Sequence, residues 1–241
     1  MSPGQPGSHP AAIAFVPATP LLVPALAAGA AAELAGLRAA CDEALARVLA
    51  RGPDHVLVVG SAGTPRSHPP GSVGSFAGFG VDLRVRFGPD AVEPPVDRGA
   101  ELPLELAVGA WLLRRAGWQG CTSGQVGGVW LGGGAPGGGP VAGARRGLLV
   151  VGDGTARRSA TAPGAFDPRA EAFDAGVACA LATGSAAGLH DLDAGLGAEL
   201  LAGGVPVWRS VGGLAGAWRG QLLHDSAPYG VAYLVASWSP G

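Results

Sequence analysis

At 241 residues the chain can bury one substantial core but is short for two, so a single α/β domain is expected. Its 16 basic residues are all arginine, and beside 43 glycines, 21 prolines and abundant alanine they reflect a GC-rich coding bias rather than a binding function. A formal net charge of -2 argues against nucleic acid as a partner, because neutralising phosphates needs a basic face and the arginine pairs at 114/115, 145/146 and 157/158 are few and scattered.

Residues 1–10 (MSPGQPGSHP) are expected to form a disordered tail, with the domain spanning 11–241. AAIAFV at 11–16 reads as a short buried strand and is followed by the proline-rich turn PATPLLVPAL. Leu34, Leu37, Cys41, Leu45, Val48 and Leu49 recur at helical spacing, and Gly52-Pro53 ends that helix. HVLVVGS at 55–61 is the continuous apolar run of a strand covered on both faces. VDLRVRF at 81–87 alternates as a strand with one polar face, and 102–117 is an amphipathic helix. The stretch 120–143, with GGVWLGGGAPGGG at its centre, reads as a glycine-rich surface loop. A strand at 147–152, helices near 169–183, 195–203 and 206–220, and a last strand within 229–238 complete the chain. Strands alternating with helices predict a mostly parallel central sheet with helices on both faces.

Pro17, Pro20 and Pro24 interrupt the uncharged first 32 residues, so neither a signal peptide nor a membrane span is expected. Cys41, Cys121 and Cys179 stand alone without CxxC spacing, which fits a reducing cytoplasm and suggests no zinc cage.

In such sheets a ligand sits beyond the carboxyl ends of the strands, here after Val16, Val59 and Val151. A chain without lysine cannot supply a P-loop, and Gly60-Ser61-Ala62-Gly63 runs into Thr64-Pro65 rather than opening a helix as a dinucleotide fingerprint would. No serine carries the GxSxG pattern, and Ser61 reads as a turn residue. Asp153, at the tip of an apolar strand, is the best-placed polar side chain, able to orient a substrate hydroxyl or to stabilise its own turn. Thr155, Arg157 and Arg158 follow it, the arginines being suited to a carboxylate or phosphate, and Tyr229 is a further cleft candidate. Of the five histidines only His68 lies on the ligand side of the sheet; His9, His55, His190 and His224 do not.

PATPLLVPAL, FAGFGVDLRV at 76–85, VVGDGTARRSATAPGAFDPRAEAFDAGV at 150–177 and APYGVAYLVASW at 227–238 occur in this order. Together they resemble the B-type class III extradiol ring-cleavage dioxygenases, in particular a short actinobacterial branch, with Memo-like proteins related. The resemblance covers the chain from about residue 11 and implies that family's α/β fold and a homodimer or a partner subunit. It also implies a mononuclear Fe(II) held by two His and one Glu, with a further His as acid/base, cleaving a catechol-like aromatic ring. Family members tend to read PHPPLLVPE where this chain places Ala18, SPHG where it has Ser61 and Ala62/Gly63, and GDLSHR where it has Ala156. None of these side chains can bind a metal.

Two functions are compatible with these residues. The chain is a non-catalytic or diverged member that needs no cofactor and binds a small aromatic molecule or a protein subunit. Alternatively it is an active Fe(II) dioxygenase whose ligands have been relocated, with His68 and Glu199 as the fallback pair.

Overall fold

A computed structural model of the chain describes residues 9–61, 63–89, 101–127, 144–214 and 216–241. The chain runs through β1 (Ala12–Val16), the short α1 (Pro24–Ala27), α2 (Ala35–Leu49), β2 (His55–Gly60), β3 (Arg66–His68), β4 (Val73–Ser75) and β5 (Arg84–Arg86). It continues through α3 (Leu104–Arg115), β6 (Cys121–Val126), β7 (Arg146–Val151), α4 (Arg169–Thr183), α5 (Ala186–His190), α6 (Ala194–Glu199), α7 (Val205–Gly212), β8 (Trp218–Ser226) and β9 (Tyr233–Pro240). Seven strands form one sheet in the order β3-β6-β2-β7-β1-β9-β8, and β4-β5 make a separate ribbon.

The apolar runs in β1, β2 and β7 are buried on both faces because helices cover both. Ala12, Ala14, Val16, Val56, Val58, Leu149 and Val151 share one core with α2 and α3. Ile13, Phe15, Leu57, Val59, Leu148 and Val150 share the other with α4, α5 and α7. The period of two that separates these sets follows from the pleat. Gly109 lets α3 lie close to the sheet, since a Cβ there would stand 2.5 Å from Val58 Cγ1. Trp238 donates from Nε1 to the Leu181 carbonyl at 2.8 Å and meets Phe15 edge-on, which ties α4 to β9 and β1.

The expectation of a mostly parallel sheet needs correction. β2 pairs in parallel with β6 and β7, and β7 with β1, but β3-β6, β1-β9 and β9-β8 are antiparallel. The sheet is mixed, with a parallel centre and antiparallel margins. Trp218–Ser226 is a strand where a helix was expected as far as 220, and only Arg84–Arg86 of the 81–87 segment is extended, outside the main sheet. The glycine-rich reading of 120–143 also fails in part, because Cys121–Val126 is an interior strand. Its composition disguised it. Gly124 carries no side chain because a Cβ would stand 2.6 Å from the Phe87 ring and 2.7 Å from Leu106. Residues 128–143 of that stretch, and residues 1–8 of the expected tail, lie outside the described residues. No helix among the described residues is long and apolar enough to cross a membrane.

Candidate functional site

The parallel centre directs the carboxyl ends of β1, β2 and β7 to one edge, where the chain leaves each strand in a loop. After β7 the loop is fixed at once: the Gly152 amide donates to the Val16 carbonyl at 3.0 Å and the Gly154 amide to the Ala232 carbonyl at 2.8 Å. Gly152 has to be glycine, since a Cβ would come within 2.6 Å of Gly204 Cα at the start of α7. Ser61, past β2, accepts the Val207 amide on its Oγ at 3.2 Å, so it braces α7 rather than facing a substrate. α7 thus packs on one side of this edge, and Glu105 of α3 and the β1 loop stand on the other.

Asp153 sits between these loops, half-buried. Its Oδ1 accepts the Ala18 amide at 2.8 Å, joining the loops that follow β7 and β1. Burial pushes its carboxyl up to about 7, the nearby Glu105 carboxylate adds to the rise, and the Ala18 and Thr19 amides oppose it. Glu105 stands in the first turn of α3, packed over Gly60 so closely that a Cβ there would lie 2.9 Å from its own. Beneath lie Thr19 and Tyr233, the latter donating its hydroxyl to Thr19 Oγ1 at 3.3 Å. Burial raises the Tyr233 pKa, and the neighbouring Asp153 and Tyr229 raise it further. Tyr229 forms the rim and donates to Glu33 Oε2 at 3.0 Å. The sequence candidates Asp153 and Tyr229 are therefore brought together, with Thr19, Glu33, Glu105 and Tyr233 as unforeseen company.

Thr155, Arg157 and Arg158 point elsewhere. Asp174, 1% exposed in α4, accepts the Thr155 amide at 2.9 Å on Oδ1 and the Thr155 hydroxyl at 2.6 Å on Oδ2. Arg158 Nη1 reaches the same Oδ2 at 3.3 Å and Nη2 reaches Glu171 at 3.5 Å. The backbone joins in: the Thr155 carbonyl accepts the Ala232 amide at 2.9 Å, and the Arg158 amide donates to the Gly230 carbonyl at 2.9 Å. Thr155 and Arg158 thus lock the loop against α4 and the approach to β9. Arg157 accepts the Asp167 amide on its carbonyl at 3.0 Å, which closes the 157–167 loop on itself.

The residues present do not fit Fe(II). Ala18, Gly63 and Ala156 offer no metal-binding side chain, and Ala62 lies outside the described residues. His68 is buried opposite Gly124, on the α3 face of the sheet. Glu199 lies at the end of α6, beyond the other face, in an exposed ion pair with Arg169 at 2.9 Å. The fallback ligands are not brought together, and among the described residues no group of three or more His, Cys, Asp or Glu could hold a metal ion.

The side chains gathered around Asp153 suit acid-base chemistry instead. A carboxyl group that titrates near neutrality, next to tyrosine hydroxyls, can donate to or accept from a ligand hydroxyl without a metal. Asp174 was missed from the sequence although a signal existed: it occupies the apolar stripe Ala170, Asp174, Val177, Leu181 of α4, where an acid demands a partner. No protein-family model matches the chain and no curated protein matches its sequence.

Proposed function

We propose that the chain is a diverged protein of B-type class III extradiol dioxygenase-like fold that binds a small aromatic molecule in the cleft around Asp153 without Fe(II). The resemblance supplies the ligand class. The site supplies the metal-free chemistry. Asp153 carries the reading: its carboxyl spans the loops after β1 and β7, where Ala18 presents only its backbone amide. Protonated, it donates to a phenolic oxygen; ionised, it accepts from a ligand hydroxyl, and Tyr229 gives the ring a face at the rim.

Anaerobic titration of the metal-stripped protein with Fe(II), followed by oxygen uptake on a catechol panel, tests the first half of this reading. Calorimetric titration of the same catechols without metal tests the second. The expected result is no stoichiometric iron uptake, no oxygen consumption, and metal-free catechol binding that Asp153→Ala weakens. Stoichiometric iron with ring cleavage would overturn the proposal, as would the absence of catechol binding.

A further inference from the structure

A second concave surface lies at the other end of the sheet, one β1 length, about 13 Å, from the Asp153 edge. It is a groove of about 570 Å³ between the last turns of α2 and the β9-β8 ribbon, floored by Ala12 and Val48. Its size suits a small organic ligand. Three arginines face into it, Arg47 and Arg51 from the α2 side and Arg219 from β8, and among the described residues no carboxylate lines it. Arg47 is held in place: its Nη1 donates to Gln221 Oε1 at 2.6 Å and Ser237 Oγ at 3.1 Å, and its Nη2 pairs with Glu43 at 2.6 Å. Arg51 and Arg219 make no side-chain hydrogen bond or ion pair among the described residues.

A sheet face that α2 does not cover has to be wet, which accounts for Gln221, Ser237 and Ser239 on the ribbon. Wetting does not account for three like charges around one concave space. Glu43 offsets Arg47 alone, and the repulsion that remains is relieved by an anion. We infer that this groove is a ligand site for an organic dianion, a phosphate ester or a dicarboxylate, with its apolar body on the Ala12-Val48 floor and its oxygens between the guanidinium groups. Guanidinium forks match both head groups in bidentate fashion. The ordered Arg47 and the lack of an acid along the described wall favour a dianionic head over a monoanion. The inference is independent of the Asp153 reading.

The test is calorimetric titration of the full chain at constant ionic strength with phenyl phosphate, phthalate and, as the uncharged probe, benzyl alcohol. One-to-one binding of either dianion, with none of benzyl alcohol, is expected, and the tighter of the two tells phosphate from carboxylate. Arg51→Gln and Arg219→Gln, exposed and outside the core, should each weaken binding about tenfold or more while the thermal midpoint stays at the wild-type value. Failure of both dianions to bind, or wild-type affinity in both variants, would overturn the inference.

Discussion

Asp153 and His55 stand at opposite ends of the parallel centre and are perturbed in opposite senses by the same physics. Burial pushes the Asp153 carboxyl up to about 7, helped by Glu105. Burial pushes the His55 imidazole down to about 4, helped by Arg146. Each is kept from charging by low dielectric and by a neighbour of the charge it would take. The carboxyl end of the sheet thus gathers Glu33, Glu105 and Asp153, while the amino end gathers Arg47, Arg51, Arg146 and Arg219. One sheet carries two ends of opposite charge.

The largest expected effect comes from the clamp beneath the acidic edge. Asp174→Ala removes the acceptor of the Thr155 amide and hydroxyl and of Arg158, leaving the buried Thr155 donors without partners and Arg158 with the exposed Glu171 alone. A loss of about 3 kcal/mol is expected in urea unfolding. Because the loop it locks belongs to one edge alone, the folded fraction should lose catechol binding and keep dianion binding. Loss of both would show that the two edges are mechanically coupled.

Next comes the pH dependence, where the two groups oppose one another. For Asp153 the folded pKa lies above the unfolded value near 4, so the native state binds the extra proton and stability falls as pH rises from about 4 to about 7. For His55 the folded pKa lies below the unfolded value near 6.5, so stability rises as pH rises from about 4 to about 6.5. The contributions, a few kcal/mol each at about 1.4 kcal/mol per pKa unit, offset one another in the wild type between pH 4 and 6.5. Asp153→Asn, which keeps an acceptor for the Ala18 amide, should unmask the rise and stabilise the protein near neutrality. His55→Gln, which retains a hydrogen-bonding group for the Ser123 hydroxyl that His55 Nε2 meets at 3.0 Å, should unmask the fall. Chemical denaturation across pH 4 to 7 reads both slopes. Parallel profiles for the two variants would remove the electrostatic contrast between the edges.

What the sequence disclosed depended on whether a segment's local pattern matched its burial. β1, β2 and β7 were legible because burial on both faces demands unbroken apolar runs, and α4 runs over the 169–183 stretch expected of it. β6 escaped because small and polar residues meet α3 and the neighbouring strands there, so Cys-Thr-Ser-Gly-Gln-Val lacks the apolar signature. β8 escaped because it is an edge strand with a register shift between Leu222 and His224, which breaks the period of two. Asp153 was found because polarity just past an apolar strand is conspicuous. Glu105, Glu33 and Tyr233 join the same group from a helix, a loop and the distant β9, an assembly that only the sheet order creates. The arginine groove is tertiary in the same way, since Arg47 and Arg219 are far apart in the chain and meet across β9.

The smallest effect on stability carries the sharpest test of the contrast. Arg51 and Arg219 are exposed and support nothing in the core, so neutralising either should change stability by no more than about 0.5 kcal/mol. Arg219→Glu goes further by placing a carboxylate beside the anchored Arg47. The new acid pairs with the guanidinium groups and occupies the charge that a dianion would meet, so dianion binding should disappear while catechol binding at the Asp153 edge stays at wild-type affinity. Paired titrations of phenyl phosphate and a catechol against this variant decide the matter. If both ligands lose affinity together, they share one site and the two edges do not divide the labour; if only the dianion is lost, charge at each end of the sheet sets what that end can hold.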